Sequence, residues 1–239
     1  MRRLLLAVGM LMLCVIGRAS SLQISPVMIE LRHGEGAATL TLRNPGDQPL
    51  YGQVRVFRWD QSNGQDNMQA TQDLVASPPL IEIPAHGEQY VRLVLSHDSN
   101  AGQEQSYRLL IDELPAADSA DENGVTIRLR YSVPVFVEPE GATGAPALAW
   151  HARQDAEGWW LRVTNSGRRR ARISMVQLMA GDGKTYLVEK GLLGYALAGR
   201  TMQWRLNLDS HGALKAPVDI RAYVNALSVE DHVTIDISP

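Results

Sequence analysis

Apolar residues along this chain recur at every second position, in runs too short for helices. In QYVRLVL (89–95) Val91, Leu93 and Leu95 share one face with Arg92 opposite, and in SYRLLID (106–112) Tyr107, Leu109 and Ile111 share one face with Arg108 opposite. That period is the mark of a strand with one buried face. GVTIRLRYSVPVFV (124–137) begins in the same way, with Val125, Ile127 and Leu129 alternating against Thr126, Arg128 and Arg130, and from Val133 becomes almost continuously apolar. No segment sustains a period of 3.6 residues.

Seven such runs, from LQISPVMIEL to GVTIRLRYSVPVFV, are separated by Gly, Pro, Asn and Asp over about 115 residues, which is the spacing of an immunoglobulin-like sandwich. A Pro-, Gly- and Ala-rich stretch (139–147) follows, and the pattern resumes from LAWHARQD to DHVTIDIS. The expected fold is all-β: a first immunoglobulin-like domain over 21–138, a linker over 139–147 and a second domain over 148–239. LTLRNPG (40–46) and LRVTNSG (161–167) both end a strand in Asn-X-Gly, a turn these residues reach with little strain.

The first residues, MRRLLLAVGMLMLCVIGRASS, combine two arginines, an apolar run over 4–16 and a small-residue exit. They read as a cleavable signal peptide over 1–20, too short in its apolar part to span a bilayer well. Cys14 lies inside it and has no small residue directly before it, so a lipoprotein signal fits poorly. With the signal removed, the expectation is a chain without cysteine, hence without disulfides, thiol nucleophile or cysteine-ligated metal. No second apolar stretch could cross a membrane. The formal charge of −3 gives no reason to expect nucleic acid or an anionic membrane as partner.

Catalytic signals are absent from the pattern. The six histidines stand singly, and no nucleophile elbow, phosphate loop or HExxH occurs. No metal, cofactor or enzymatic activity is expected. GRRRAR (167–172) is the densest charge cluster; without interleaved aromatics it reads as a solvated hairpin or a basic wall facing another domain. Asp112-Glu113 closes an apolar strand and suggests a pairing across a domain interface.

Taken together, the signal peptide, LQISPVMIEL, TLTLRNPGDQP, ASPPLIEIPAHGEQYVRL, YRLLIDELP, GVTIRLRYSVPVFV, VTNSG and GLLGYALAGRTMQW resemble the periplasmic chaperones of the chaperone–usher pathway that assembles fimbriae, and are most similar to its archaic, non-classical branch. The resemblance implies two sandwich domains at an angle, with a cleft between them. It implies partners of two kinds: pilus subunits, and the outer-membrane usher that receives them. It also implies a strand lent to each subunit, with Val125, Ile127, Leu129 and Tyr131 filling the subunit's open groove.

Two departures stand out. Members outside the archaic branch hold the subunit's C-terminal carboxylate with an arginine and a lysine; the matching positions here are Met28 and Pro134. Arg92, Arg108 and Arg221 are the candidates to replace them, since arginine binds carboxylate through two parallel hydrogen bonds. The acid of the family's interdomain pair matches Glu113, but its partner position holds Glu138, so another base is expected beside Glu113. The alternative reading is a secreted β-sandwich binding or adhesive module, which would expose aromatics such as Trp159-Trp160 on a rim.

Overall fold

The computed structural model describes residues 22–96, 102–115, 128–141, 144–208 and 214–237, in which every regular element is a strand. The first domain contains β1 (Gln23–Ser25), β2 (Ile29–Leu31), β3 (Ala37–Arg43), β4 (Leu50–Ser62), β5 (Gln65–Ala70), β6 (Leu74–Ser77), β7 (Leu80–Ile83), β8 (Glu88–Leu95), β9 (Gln105–Leu114) and β10 (Arg130–Val137). They form two sheets, β1-β3-β8-β6 and β2-β10-β9-β4-β5, with β7 added to β4.

Two of the seven runs divide at proline. Proline has no N–H to give to a ladder. At Pro26 the chain leaves β1, antiparallel to β3, and enters β2, parallel to β10 in the other sheet. At Pro78 it leaves β6, beside β8, and enters β7, beside β4. The two crossings tie the sheets around a core that includes Leu31, Leu40, Leu93, Tyr107, Ile111 and Val135. Asn63 and Gly64, both at positive φ, turn β4 tightly into β5.

The second domain contains β11 (Leu148–Asp155), β12 (Gly158–Asn165), β13 (Ala171–Ala180), β14 (Thr185–Ala196), β15 (Arg200–Leu206), β16 (Val218–Val224) and β17 (Leu227–Ile237). Their order is β14-β13-β16-β17-β11-β12-β15, and β14 also packs against β12 and β15, so the sheet folds over a core centred on Trp150, Leu161, Ile173 and Ile220. KTYLVEKG and GYALAG, separate runs in the sequence, are one strand, β14, because bulges opposite Ile173–Gln177 absorb its extra residues.

The shared Asn-X-Gly device has one structural meaning in both domains. Asn44 and Asn165 are fully buried. Each side-chain oxygen accepts from the amide two residues on, Gly46 or Gly167, at 3.0 Å. Each amide nitrogen donates inward to main-chain carbonyls, Gln48 and Ile83 for Asn44, Arg169 and Ala196 for Asn165. A buried amide with several bonds is a tie that an apolar side chain could not supply.

The apolar run after Val133 is explained by the way the domains meet. On β10, Val133, Val135 and Val137 enter the first domain's own core, while Phe136, on the opposite face, lies against Trp59, Tyr195 and Leu197. Both faces of the strand are covered, so alternation disappears from the sequence.

Candidate functional site

The domains meet along β2, β4, β5 and β10 on one side and along β14, β15 and the turn before β13 on the other. Three rings form the centre: Trp59 to Tyr195 edge-on at 5.3 Å, and Phe136 at 5.9 Å from Trp59 and 5.8 Å from Tyr195. Buried Gln61 crosses between them, donating to the Tyr195 carbonyl at 2.8 Å and accepting from the Leu197 amide at 2.9 Å. Arg200 bonds both oxygens of Asp60, at 2.5 and 3.4 Å.

The arginine-rich turn before β13 is a basic wall against the first domain. Arg170 is buried, bonds Glu104 at 2.5 Å and Glu30 as well, and stands 3.7 Å over the Phe136 ring. Burial pushes the Glu104 carboxyl above its usual range, although Arg170 and Arg169 pull the other way. Arg169 meets Glu138 at 2.5 Å, and Arg168 reaches the Gly102 and Glu140 carbonyls. Among the described residues Glu113 makes no ion pair, although Arg55, Arg128 and Arg130 line a pocket with it; the interdomain ion pairs are carried by Glu30, Glu104, Glu138 and Asp60.

Glu113, expected to pair across the domains, makes its hydrogen bonds within the first domain. Its carboxylate accepts from the Tyr131 hydroxyl at 3.1 Å and the Leu129 amide at 3.2 Å. Tyr131 also accepts from the Leu22 amide at 3.0 Å, and its ring packs on the first domain's core. Burial, with the Glu113 charge and bond, raises the phenol to about 12. Tyr131, expected as the last of the pocket-filling residues, instead packs within its own domain. Leu129 is 39% exposed, and Val125 and Ile127 lie outside the described residues.

The three candidate bases separate. Arg92 lies exposed on β8, between Thr39 and Ser77, on the sheet that does not face the second domain. Arg221 is paired with Glu230 at 2.7 Å on an exposed ladder. Only Arg108 of the three lines the cleft. Its guanidinium carbon sits 3.7 Å from the Trp59 ring centroid and 5.7 Å from that of Tyr195, and among the described residues no carboxylate lies within ion-pair reach. Burial lowers its pKa, with the Asp66 charge opposing. It opens on a cavity of about 430 Å³ that also touches Met28, Pro134 and Arg172. Met28 and Pro134, the departures in the sequence, are thus in the cleft, and Arg108 is the base beside them. Sequence reasoning singled out the 167–172 cluster but did not connect Arg172 to this cavity.

Among the described residues no cluster of His, Cys, Asp or Glu could hold a metal ion. Trp159 is in the second core and the Trp160 indole donates to Asp155 at 3.1 Å, so the pair forms no exposed aromatic rim.

Residues 21–143, more than half of the chain, match the family described as pili and flagellar-assembly chaperone, PapD N-terminal domain. The chain belongs to this family of pilus-assembly chaperones. Among curated protein sequences, none matches the chaperone. Of solved structures, the chaperone is similar to CsuC–CsuE, the chaperone–tip subunit pre-assembly complex of the archaic Csu pili of Acinetobacter baumannii, at 25% identity, with 91% of this chain and 100% of the other covered and a TM-score of 0.71. Pseudomonas aeruginosa CupB2 chaperone (15% identity, 90% and 100% covered, TM-score 0.60) and the periplasmic chaperone SfaE (11%, 90% and 100%, 0.58) share the fold. The family is one of chaperones rather than enzymes, and the two-domain, immunoglobulin-like arrangement is common to these proteins.

Proposed function

We propose that the chaperone is exported by its signal peptide to the periplasm, captures pilus subunits there by lending them the edge strand over 124–129, and delivers them to an outer-membrane usher. The subunit's C-terminal carboxylate is received at Arg108. The observation that carries this reading is Arg108 itself: a half-buried guanidinium, stacked on two rings, opening on the cleft, with no carboxylate in ion-pair contact among the described residues. A cation desolvated in this way is costly unless an anion completes it. The physics of strand lending supports the rest. A subunit with an unpaired edge beside an exposed core is prone to aggregate, and a strand that alternates as Val125, Ile127 and Leu129 do offers main-chain bonds and apolar contacts at once.

The test is co-expression with a pilus subunit. Ile127→Asp with Leu129→Asp is expected to abolish recovery of subunit from the periplasm while the chaperone's melting temperature stays unchanged. Undiminished recovery with both charges present would overturn the strand assignment.

A further inference from the structure

Glu113 holds the root of the lent strand with no ion pair of its own among the described residues. We infer that its counter-charge is the α-amino group released when the leader is cut, so that processing fixes the point from which the strand is lent. This rests on the export and strand-lending readings and adds to them a contact made only by the matured chain.

Two bonds join β9 to Leu129, the end of the lent strand. The Glu113 amide donates to the Leu129 carbonyl at 3.1 Å, and the Leu129 amide donates to one Glu113 carboxylate oxygen at 3.2 Å. The other carboxylate oxygen accepts from the Tyr131 hydroxyl at 3.1 Å, and the Tyr131 oxygen accepts from the Leu22 amide at 3.0 Å. The Leu22 nitrogen thus stands two hydrogen bonds from the carboxylate. The fold sets its place: the Leu22 side chain is buried in the first core, and β1, starting at the next residue, pairs with β3.

A leader over 1–20 leaves Ser21 as the first residue. Covalent geometry keeps its α-nitrogen within about 4 Å of the Leu22 nitrogen; a cut one residue later puts the charge on the Leu22 nitrogen itself. In the uncut chain either nitrogen is a neutral amide. As an ammonium it meets a carboxylate whose bonded partners, a phenol and an amide, are both neutral, and bonds between ionised groups are the stronger ones. Of the charges that line a pocket with Glu113, Arg55 and Arg130 both bond Asp112, which leaves Arg128 as the competing base. The amine brings the start of the mature chain, β9 and the end of the lent strand to one point, which the uncut chain cannot do.

The experiment uses the mature chaperone purified from the periplasm, its N-terminus read by mass spectrometry. The α-amine is acetylated in competition with a reference peptide amine over a range of pH, and its pKa is taken from the rate profile. The parent is expected to titrate above the ordinary α-amino value of about 8. Glu113→Gln is expected to return it to that value and to react about three- to tenfold faster at that pH. Arg128→Gln is expected to leave the parent's profile in place. Inserting Ala-Gly-Ala between Ser21 and Leu22 moves the amine away and is expected to match Glu113→Gln, with the Leu129 amide exchanging its hydrogen several-fold faster than in the parent. If parent and Glu113→Gln titrate alike, the inference is overturned, while export stands on the cut N-terminus and strand lending on the Ile127 and Leu129 variants. If mass spectrometry finds the leader still attached, the export reading and the inference fall together. Should Glu113→Gln fail to fold, the lengthened chain decides.

Discussion

Two arginines at the domain junction each stand 3.7 Å over an aromatic ring, Arg170 over Phe136 and Arg108 over Trp59. Their stacking is alike and their surroundings are opposite. Arg170 is buried and held by Glu104 and Glu30, so its charge is neutralised inside the protein. Arg108 has the ring, the Asp66 charge at a distance, and no carboxylate in ion-pair contact among the described residues. The stacking cannot tell a structural arginine from a binding one; the presence or absence of a counter-charge can. A buried charge whose partner comes from the same chain is part of the fold. One without a contacting acid among the described residues is, on the proposed reading, open to a carboxylate that the subunit brings.

The sharpest way to break this comparison is to remove the counter-charge. Glu104→Ala leaves Arg170 with Glu30 only, and a loss of about 3–5 kcal/mol is expected in urea unfolding, the usual cost of breaking a buried pair. Arg108→Gln is expected to cost less than about 2 kcal/mol, since only a cation–π contact is lost, while subunit capture weakens. Were Arg108→Gln the more destabilising of the two, Arg108 would be a structural residue and the distinction would collapse.

Between these fall the paired asparagines. Asn44→Ala and Asn165→Ala each leave buried main-chain carbonyls unsatisfied, and each is expected to cost about 1–3 kcal/mol. Equal losses would show that the two domains use the device to the same extent.

The smallest effects are in pH dependence. Burial works to raise the Asp60 carboxyl, but the Arg200 bond and the Gln61 amide outweigh it and hold it below its usual range. Burial raises Glu104. The two contribute with opposite sign. Asp60's contribution is complete above its unfolded pKa and is lost as the pH falls through its lowered folded value. Glu104's is complete below its unfolded pKa and is lost as the pH rises through its raised folded value. A stability–pH profile of Asp60→Asn is expected to flatten on the acid side, and that of Glu104→Gln on the side just above the usual carboxylate range.

Much of this was legible in the chain. Period-two runs gave the strands, because alternation is a local consequence of side-chain direction. Asn-X-Gly was visible twice as a turn; that each asparagine is also buried and tied to a distant strand was not, because the tie runs to Ile83 and Ala196. The 167–172 cluster was visible as a charge run with two possible meanings, and only its position against Glu30, Glu104 and Glu138 selects the wall. The Glu113–Tyr131 bond was hidden for the same reason: a residue's place on a strand face does not say which partner fills the space in front of it.

The sequence by itself determined an all-β chain of two immunoglobulin-like units, and a strand whose first half alternates and whose second half does not. The tertiary structure decided what that second half means, with Val135 in one core and Phe136 under another domain. It also decided which base faces the cleft. Strand alternation fixes the side on which Arg92, Arg108 and Arg221 emerge, but counter-charge and burial depend on what packs there from far along the chain, and only folding brings Trp59, Tyr195 and Arg172 around Arg108.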